Sequence, residues 1–345
     1  MPFTARAATT QARTSIRSAG ERRVFRRRLG TSIEGGDERN LRPPPSNKES
    51  EVTEVAESIA GVRALIREAR AALIASGIAR PKVSLVPTMG ALHDGHLSLV
   101  ESARELGHIV VVSVFVNPTQ FSASEDLQRY PRDLESDRAI LDSVARPGDS
   151  QTIVFAPSVD EMYPKGPTQT TVTAGRSGST FEGRSRAGHF DGVLTVVAKL
   201  LNIVSPDTVF FGRKDAQQAF LVGRMIADLD FDTAMEVVDT VREDDGLALS
   251  SRNRFLDERE RRAALVLSHM LEAAESAADR GIDTVIAAAQ SVAMGEPLVQ
   301  VDYLAVVDPA TFFPVDDDFH GRATVLVAAR VGSTRLIDNE TVYLG

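Results

Sequence analysis

Two histidines stand in His-x-x-His spacing within Val83-Ser-Leu-Val-Pro-Thr-Met-Gly-Ala-Leu-His-Asp-Gly-His-Leu-Ser-Leu-Val100. Imidazoles can donate to negative charge developing on a leaving oxygen, so such a pair suits a polyphosphate. The spacing also arises by chance, and a lone histidine is more often structural. Position strengthens the functional reading of His93 and His96: they lie beside Gly90 and Gly95, between an apolar run and a helical pattern. A second set of charges comes much later, in Gly212-Arg-Lys-Asp-Ala-Gln-Gln218. Lys214 can balance phosphate charge as a flexible point cation, and Asp215 can accept from a ribose or orient Lys214. In Ser250-Ser251-Arg252, small hydroxyls can donate to phosphate oxygens and a guanidinium can clamp two at once. The same residues also read as an N-cap and helix start, since Asp257 and Glu258 follow.

Neutral and acidic groups complete the inventory. Asn117 and Gln120, in Asn117-Pro-Thr-Gln-Phe121, suit hydroxyl and carboxylate groups, although Asn-Pro also simply opens loops. Phe181-Glu-Gly-Arg-Ser-Arg-Ala-Gly-His-Phe190 reads either as a mobile substrate loop or as solvated surface. Asp137 opens a helical pattern, where an acid is favoured by the helix dipole alone. With no cysteine in the chain, disulfides, thiolate nucleophiles and Cys-based zinc sites are excluded. No covalent nucleophile is evident.

The elements that must position these groups follow from periodicity. Val83–Val86 is a short β-branched strand ended by Pro87, and Leu97, Val100, Ala103 and Leu106 recur at helical spacing. The near-continuous apolar run 109–116 marks a strand buried on both faces, as in parallel sheets. Strand, helix, strand makes a βαβ unit, which binds ligands at the carboxyl ends of its strands and at the helix N-terminus. Further strands are expected at 153–157, at 208–211 and near 236. Helical faces are expected over 55–73, ended by Gly77, and over 193–204, ended by Pro206. After residue 240 the texture changes to helices at 257–280 and 283–294 and strands at 299–307, 324–331 and 334–338. The expected fold class is α/β: a Rossmann-like parallel-sheet domain over 51–240 with a smaller α+β carboxyl-terminal domain over 241–345.

Residues 1–50 differ, being rich in arginine with almost no acid before Glu34, then broken by Gly35-Gly36 and Pro43-Pro44-Pro45. They read as a disordered extension, as an organellar transit peptide, or as translation from an upstream start. The remainder has an ordinary globular composition, 43% hydrophobic and 25% charged over the whole chain. A net charge of −9 argues against general nucleic-acid binding, and the lack of any run of about twenty apolar residues argues against a membrane helix. A cytoplasmic location is expected, or an organellar one if the arginine-rich segment is a transit peptide.

Pro87-Thr-Met-Gly-Ala-Leu-His-Asp-Gly-His96 resembles the signature of the pantothenate synthetase (pantoate–β-alanine ligase) family, which are nucleotidyltransferases with a HIGH-type motif. Asn117–Phe121, Tyr130-Pro-Arg with its acidic followers, Gly212–Gln218, Arg242–Asn253 and the stretches 302–309 and 328–339 resemble that family in the same order. The resemblance covers roughly 55–345. It implies ATP contacts from Met89, Gly90, His93, Gly95, His96, Gly212, Lys214 and Asp215, and from Val241, Leu249, Ser250, Ser251 and Arg252. It further implies pantoate and β-alanine contacts from Pro87, Thr88, Met89, Asn117, Gln120, Arg186 and Gln218. His93, His96, Lys214 and Arg252 become the catalytic set, with His96 as proton donor, and Asp137 helps to place Mg2+. The implied reaction condenses pantoate with β-alanine through a pantoyl adenylate, releasing AMP and pyrophosphate, in a homodimer whose carboxyl-terminal domain closes over the nucleotide. Asp94, Ser136, Ala187, Arg213, Ala216 and Leu249 depart from the residues usual in the family. The rival readings are nucleotidyl transfer to a phosphorylated acceptor and a binding module on an inactive scaffold.

Overall fold

Alternating side chains of a parallel strand must be buried on both faces, and this chain supplies apolar residues for each. The computed structural model describes residues 53–345 apart from 122–126, 128–129, 147–149 and 167. The expected extension over 1–50 lies outside the described residues. In order come β1 (Glu54–Ala56), α1 (Ile59–Ala75), β2 (Val83–Thr88), α2 (Asp94–Leu106), β3 (Ile109–Val114), α3 (Leu134–Ser143) and β4 (Gln151–Phe155). Then follow α4 (Val159–Met162), α5 (Phe181–Ser185), α6 (His189–Val204), β5 (Thr208–Gly212), α7 (Ala216–Asp228) and β6 (Ala234–Val238). The remainder is α8 (Glu258–Ala263), α9 (Val266–Glu275), α10 (Ile282–Ala293), β7 (Val299–Val307), β8 (Gly321–Val331) and β9 (Thr334–Leu344).

β1 to β6 form one parallel sheet in the order β1-β4-β3-β2-β5-β6. Leu85, Val111, Ile153 and Val209 point to one face, where α1, α6 and α7 cover them. Val86, Val110, Val154 and Phe210 point to the other, beneath Leu99 and Val100 of α2 and Leu141 of α3. Because β2 pairs with β3 on one side and β5 on the other, the winding reverses between β2 and β5. Such a switch point opens a crevice outside the strands' carboxyl ends.

β7, β8 and β9 form a smaller antiparallel sheet whose apolar face packs on α9 and α10. Each sheet thus carries a core of its own, within one compact unit Lys48–Gly345. One expectation changes: Val55, placed by spacing on the first helix, lies in β1, paired with Val154. Ser58 separates the two elements, its hydroxyl capping α1 by accepting from Gly61 N–H at 3.0 Å.

Candidate active site

The signature turn leaves β2 through two left-handed residues, Gly90 (φ +81°) and Ala91 (φ +53°). Thr88 pins the strand end, its hydroxyl donating to Ser113 O at 2.7 Å and accepting from Gly90 N–H at 3.1 Å. A Cβ on Gly90 would stand 2.7 Å from the Asp137 carboxylate, so only glycine fits this backbone. Asp137, on α3, is 2% exposed. Its Oδ2 accepts from Ala91 N–H at 3.1 Å and its Oδ1 from Leu92 N–H at 2.7 Å. Burial pushes its carboxyl up, and those two donors pull it back. Asp137, expected to help place Mg2+, directs its oxygens at the turn that carries the histidines.

The histidines themselves cap α2. His93 is the N-cap, and its Nδ1 accepts from Gly95 N–H at 3.1 Å, while His96 Nδ1 accepts from His93 N–H at 3.3 Å. Imidazoles here take the places that Ser and Glu hold in a capping box. With both Nδ1 atoms accepting, each ring carries its hydrogen on Nε2. The ring centroids lie 4.1 Å apart. Burial, then the Lys214 charge, lowers His93 to a pKa of about 4; burial, then His93 and Lys214, lowers His96 to about 3. Both rings are neutral at pH 7. In the free protein His96, expected as the proton donor, thus presents Nε2–H as a hydrogen-bond donor.

The same depression couples protonation to stability. Unfolded histidine titrates near 6.5, so below that pH the unfolded chain binds protons that the folded rings refuse. Stability contributed by neutral His93 and His96 is present above 6.5 and is lost as pH falls toward 3. Denaturant midpoints measured from pH 7 to pH 4 are expected to fall, and to fall less in His96→Gln. Equal slopes in the two proteins would refute this account.

Lys214 arrives on the other side of the switch point, in the single turn Arg213–Asp215 between β5 and α7. Its Nζ donates to Leu249 O at 3.3 Å. Leu249 belongs to the loop after β6, closed by Leu249 N–H donating to Val241 O at 2.9 Å. That loop also abuts the signature: a Cβ on Gly95 would stand 3.8 Å from Leu249 Cβ. Ser250 accepts from Arg252 N–H at 3.2 Å as the cap of the turn Ser251–Phe255, so the capping reading of Ser-Ser-Arg holds for Ser250. Ser251 lies beside the half-buried Tyr130 hydroxyl, and Arg252 is exposed.

Lys214, Asp215, Gln218, Arg186 and Arg252 line one cleft of about 490 Å³, open to solvent. An adjoining hollow of about 320 Å³ shares Lys214 and Arg252 and adds Ser250. His93, His96, Met89, Gly90 and Gln120 are not on either lining. The Lys214 charge nevertheless acts on both histidines, and Leu249 stands against both loops, its carbonyl on Lys214 and its Cβ beside Gly95.

Asn117, expected to meet substrate, is 1% exposed. Its Oδ1 accepts from Tyr163 Oη–H at 2.8 Å and Thr119 Oγ1–H at 2.9 Å, and its Nδ2 donates to Gln120 Oε1 and Gly192 O, each at 3.2 Å. It orients Gln120, whose Nε2 reaches Met89 Sδ at 2.9 Å. A guanidinium can only donate, so His189 Nε2 accepts from Arg186 at 2.8 Å. The His189 hydrogen is then on Nδ1, which donates to Gln120 O at 2.7 Å. Arg186 and Gln120, 66 residues apart by number, are thereby joined through one ring.

Sequence reasoning missed the second tier of this site. Glu182 Oε1 and Oε2 accept from Arg335, each at 2.7 Å, and Oε1 also accepts from Tyr303 Oη–H at 2.9 Å. Burial and that carboxylate push the Tyr303 hydroxyl up. Gln217, one residue before the expected Gln218, accepts from Glu182 N–H at 3.0 Å and donates to Ser177 O at 2.7 Å. Nothing local marks these residues; their partners are distant in the chain.

A family model for pantoate-beta-alanine ligase matches residues 54–341, the span that carries this geometry. The pantothenate synthetase of Leifsonia xyli subsp. xyli is 54% identical over 83% of this chain and 99% of its own. A crystal structure of pantothenate synthetase from Thermus thermophilus superposes with a TM-score of 0.73 at 44% identity, over 84% of this chain and 99% of that one. The pantoate-beta-alanine ligase of Francisella tularensis, solved as a complex with beta-gamma ATP and beta-alanine, gives a TM-score of 0.65 at 32% identity, over 84% and 97%. The chain belongs to the pantoate–β-alanine ligase family.

Proposed function

We propose that this chain joins pantoate to β-alanine at the expense of ATP, through a pantoyl adenylate. Pantoate carboxylate oxygen attacks the α-phosphorus, the bond to the β-phosphate oxygen breaks, and pyrophosphate leaves. The β-alanine amine then attacks the acyl carbon, loses a proton, and displaces AMP. Adenylation turns a poor leaving group into AMP, so the enzyme needs no covalent nucleophile, and catalysis rests on positioning and charge stabilisation. The observation that carries this reading is Lys214, Arg252, Arg186 and Gln218 on one cleft, beside two neutral imidazole donors at the carboxyl end of the neighbouring strand.

In this reading His93 and His96 donate Nε2–H to the polyphosphate, and Lys214, Ser250, Ser251 and Arg252 balance its charge. Gln120, Gln218 and Arg186 orient pantoate. Magnesium enters as the ion already held by ATP phosphates. Among the described residues no cluster of three or more His, Asp or Glu could hold a metal, and Asp137 is engaged elsewhere. Residues 241–345 act as the lid over the nucleotide, and the protein works as a cytoplasmic homodimer. No helix of the described residues is long and apolar enough to cross a membrane.

Pyrophosphate release tests the reading. With ATP and pantoate alone, one equivalent per active site is expected, and AMP should follow only when β-alanine is added. If pantoate leaves ATP untouched, the proposal fails. A stable nucleotide-bearing product without AMP would favour transfer to a phosphorylated acceptor instead.

A further inference from the structure

The lysine at the cleft has a long flexible stem, so the reach of its ammonium is set by where its backbone is held and by what the ammonium then meets, here Leu249 O. That backbone is held from the far end of the chain. Asn339, on β9, is 3% exposed and lines the cleft. Its Nδ2 donates one hydrogen to Lys214 O at 2.8 Å and the other to Arg213 O at 3.0 Å. The opposite amide orientation would set an oxygen against two carbonyls, so the donor assignment is unambiguous. Among the described residues, Asn339 Oδ1 has no partner of its own. The adjacent residue grips the facing loop. Asp338 accepts from Arg242 at 2.6 and 3.1 Å, and Arg242 also donates to Gly246 O at 3.2 Å. That loop continues to Leu249, whose carbonyl meets Lys214 Nζ.

We propose that Asn339 is a positioning residue for the phosphate site: it sets the turn that aims Lys214, while Asp338 beside it sets the loop that Lys214 faces. The inference rests on the proposed function for its kinetic consequence, but its geometric content concerns only Lys214 and the nucleotide. Neighbouring positions of a strand point to opposite faces, which lets one dipeptide hold two loops at once. Displacing a charge-stabilising group by about 1 Å is enough to cost about a hundredfold in rate.

The test is a double-mutant cycle with Asn339→Asp and Asn339→Ala, each made in the wild-type and Lys214→Ala backgrounds. Asp replaces both donated hydrogens with repulsion against two carbonyls. Ala removes the donors without adding charge and carries the test should the Asp variant not fold. Two readouts are taken, ATP affinity by calorimetry and kcat for pantoate-dependent pyrophosphate release, with thermal midpoints alongside. In the wild-type background ATP affinity is expected to fall about tenfold and kcat about a hundredfold, with KM for pantoate nearly unchanged. In the Lys214→Ala background the same changes should shift ATP affinity by no more than about threefold, because the residue acts through the lysine. Equal losses in both backgrounds, or unchanged ATP affinity in both variants, would overturn the proposal. Failure of the wild-type protein to release pyrophosphate would instead sink the reaction assignment and leave the ATP-binding cycle to be read separately.

Discussion

Lys214→Ala is expected to lower kcat for pyrophosphate release by about a hundredfold to a thousandfold, the scale of losing one preorganised transition-state donor. Its thermal midpoint should stay near that of the wild type. The contrast comes from what the ammonium touches. In the free protein it donates to one half-buried carbonyl, Leu249 O at 3.3 Å. Such a bond contributes about 1 kcal/mol. Removing the Lys214 charge also relieves a repulsion that depresses His93 and His96, so both rings should titrate at higher pH in the variant. Kinetics, a melting curve and imidazole NMR titration check all three. A loss of stability matching the loss of rate would identify Lys214 as structural.

Asp137→Ala should be the most destabilising single change near the site. It strands two N–H groups, of Ala91 and the buried Leu92, in a turn whose φ angles already lie in the left-handed region. An unsatisfied buried donor costs about 1–3 kcal/mol, so a loss of about that size is expected from Leu92 by denaturant unfolding, with a smaller part from half-buried Ala91. Activity should fall with it, because the turn sets the entry of α2 and hence both Nε2–H groups. Asp137→Asn keeps one acceptor and should lose less. The expected metal-ligand role makes the opposite forecast: normal stability and a raised requirement for magnesium. Measuring unfolding and magnesium dependence on the same variant decides between them.

Much of this protein could be read without coordinates because the relevant signals are local. Parallel strands announce themselves by apolar runs such as 109–114, and amphipathic helices by their period, since side-chain direction repeats within a few residues. The motif around His93 and His96 is likewise local: a strand end, a glycine turn and a helix start within fourteen positions, Val83 to His96. Short pieces are where local reading failed. Val55 fits a helical stripe by spacing, yet three residues cannot declare a period, and pairing with β4 made them a strand.

What the chain order could not express is which distant groups meet. Asp137 bonds a turn 45 residues earlier, Glu182 pairs with Arg335 across 153, and Asn339 holds Lys214 across 125. Burial and these partners tie Asp137 to the signature turn, tie Asn117 to Gln120, and hold both histidines well below their ordinary pKa. Residue type and spacing thus determined which chemistry the chain carries and on which elements. Protonation, hydrogen-bond role and aim came from desolvation and long-range contact, quantities that exist only once the chain has closed on itself.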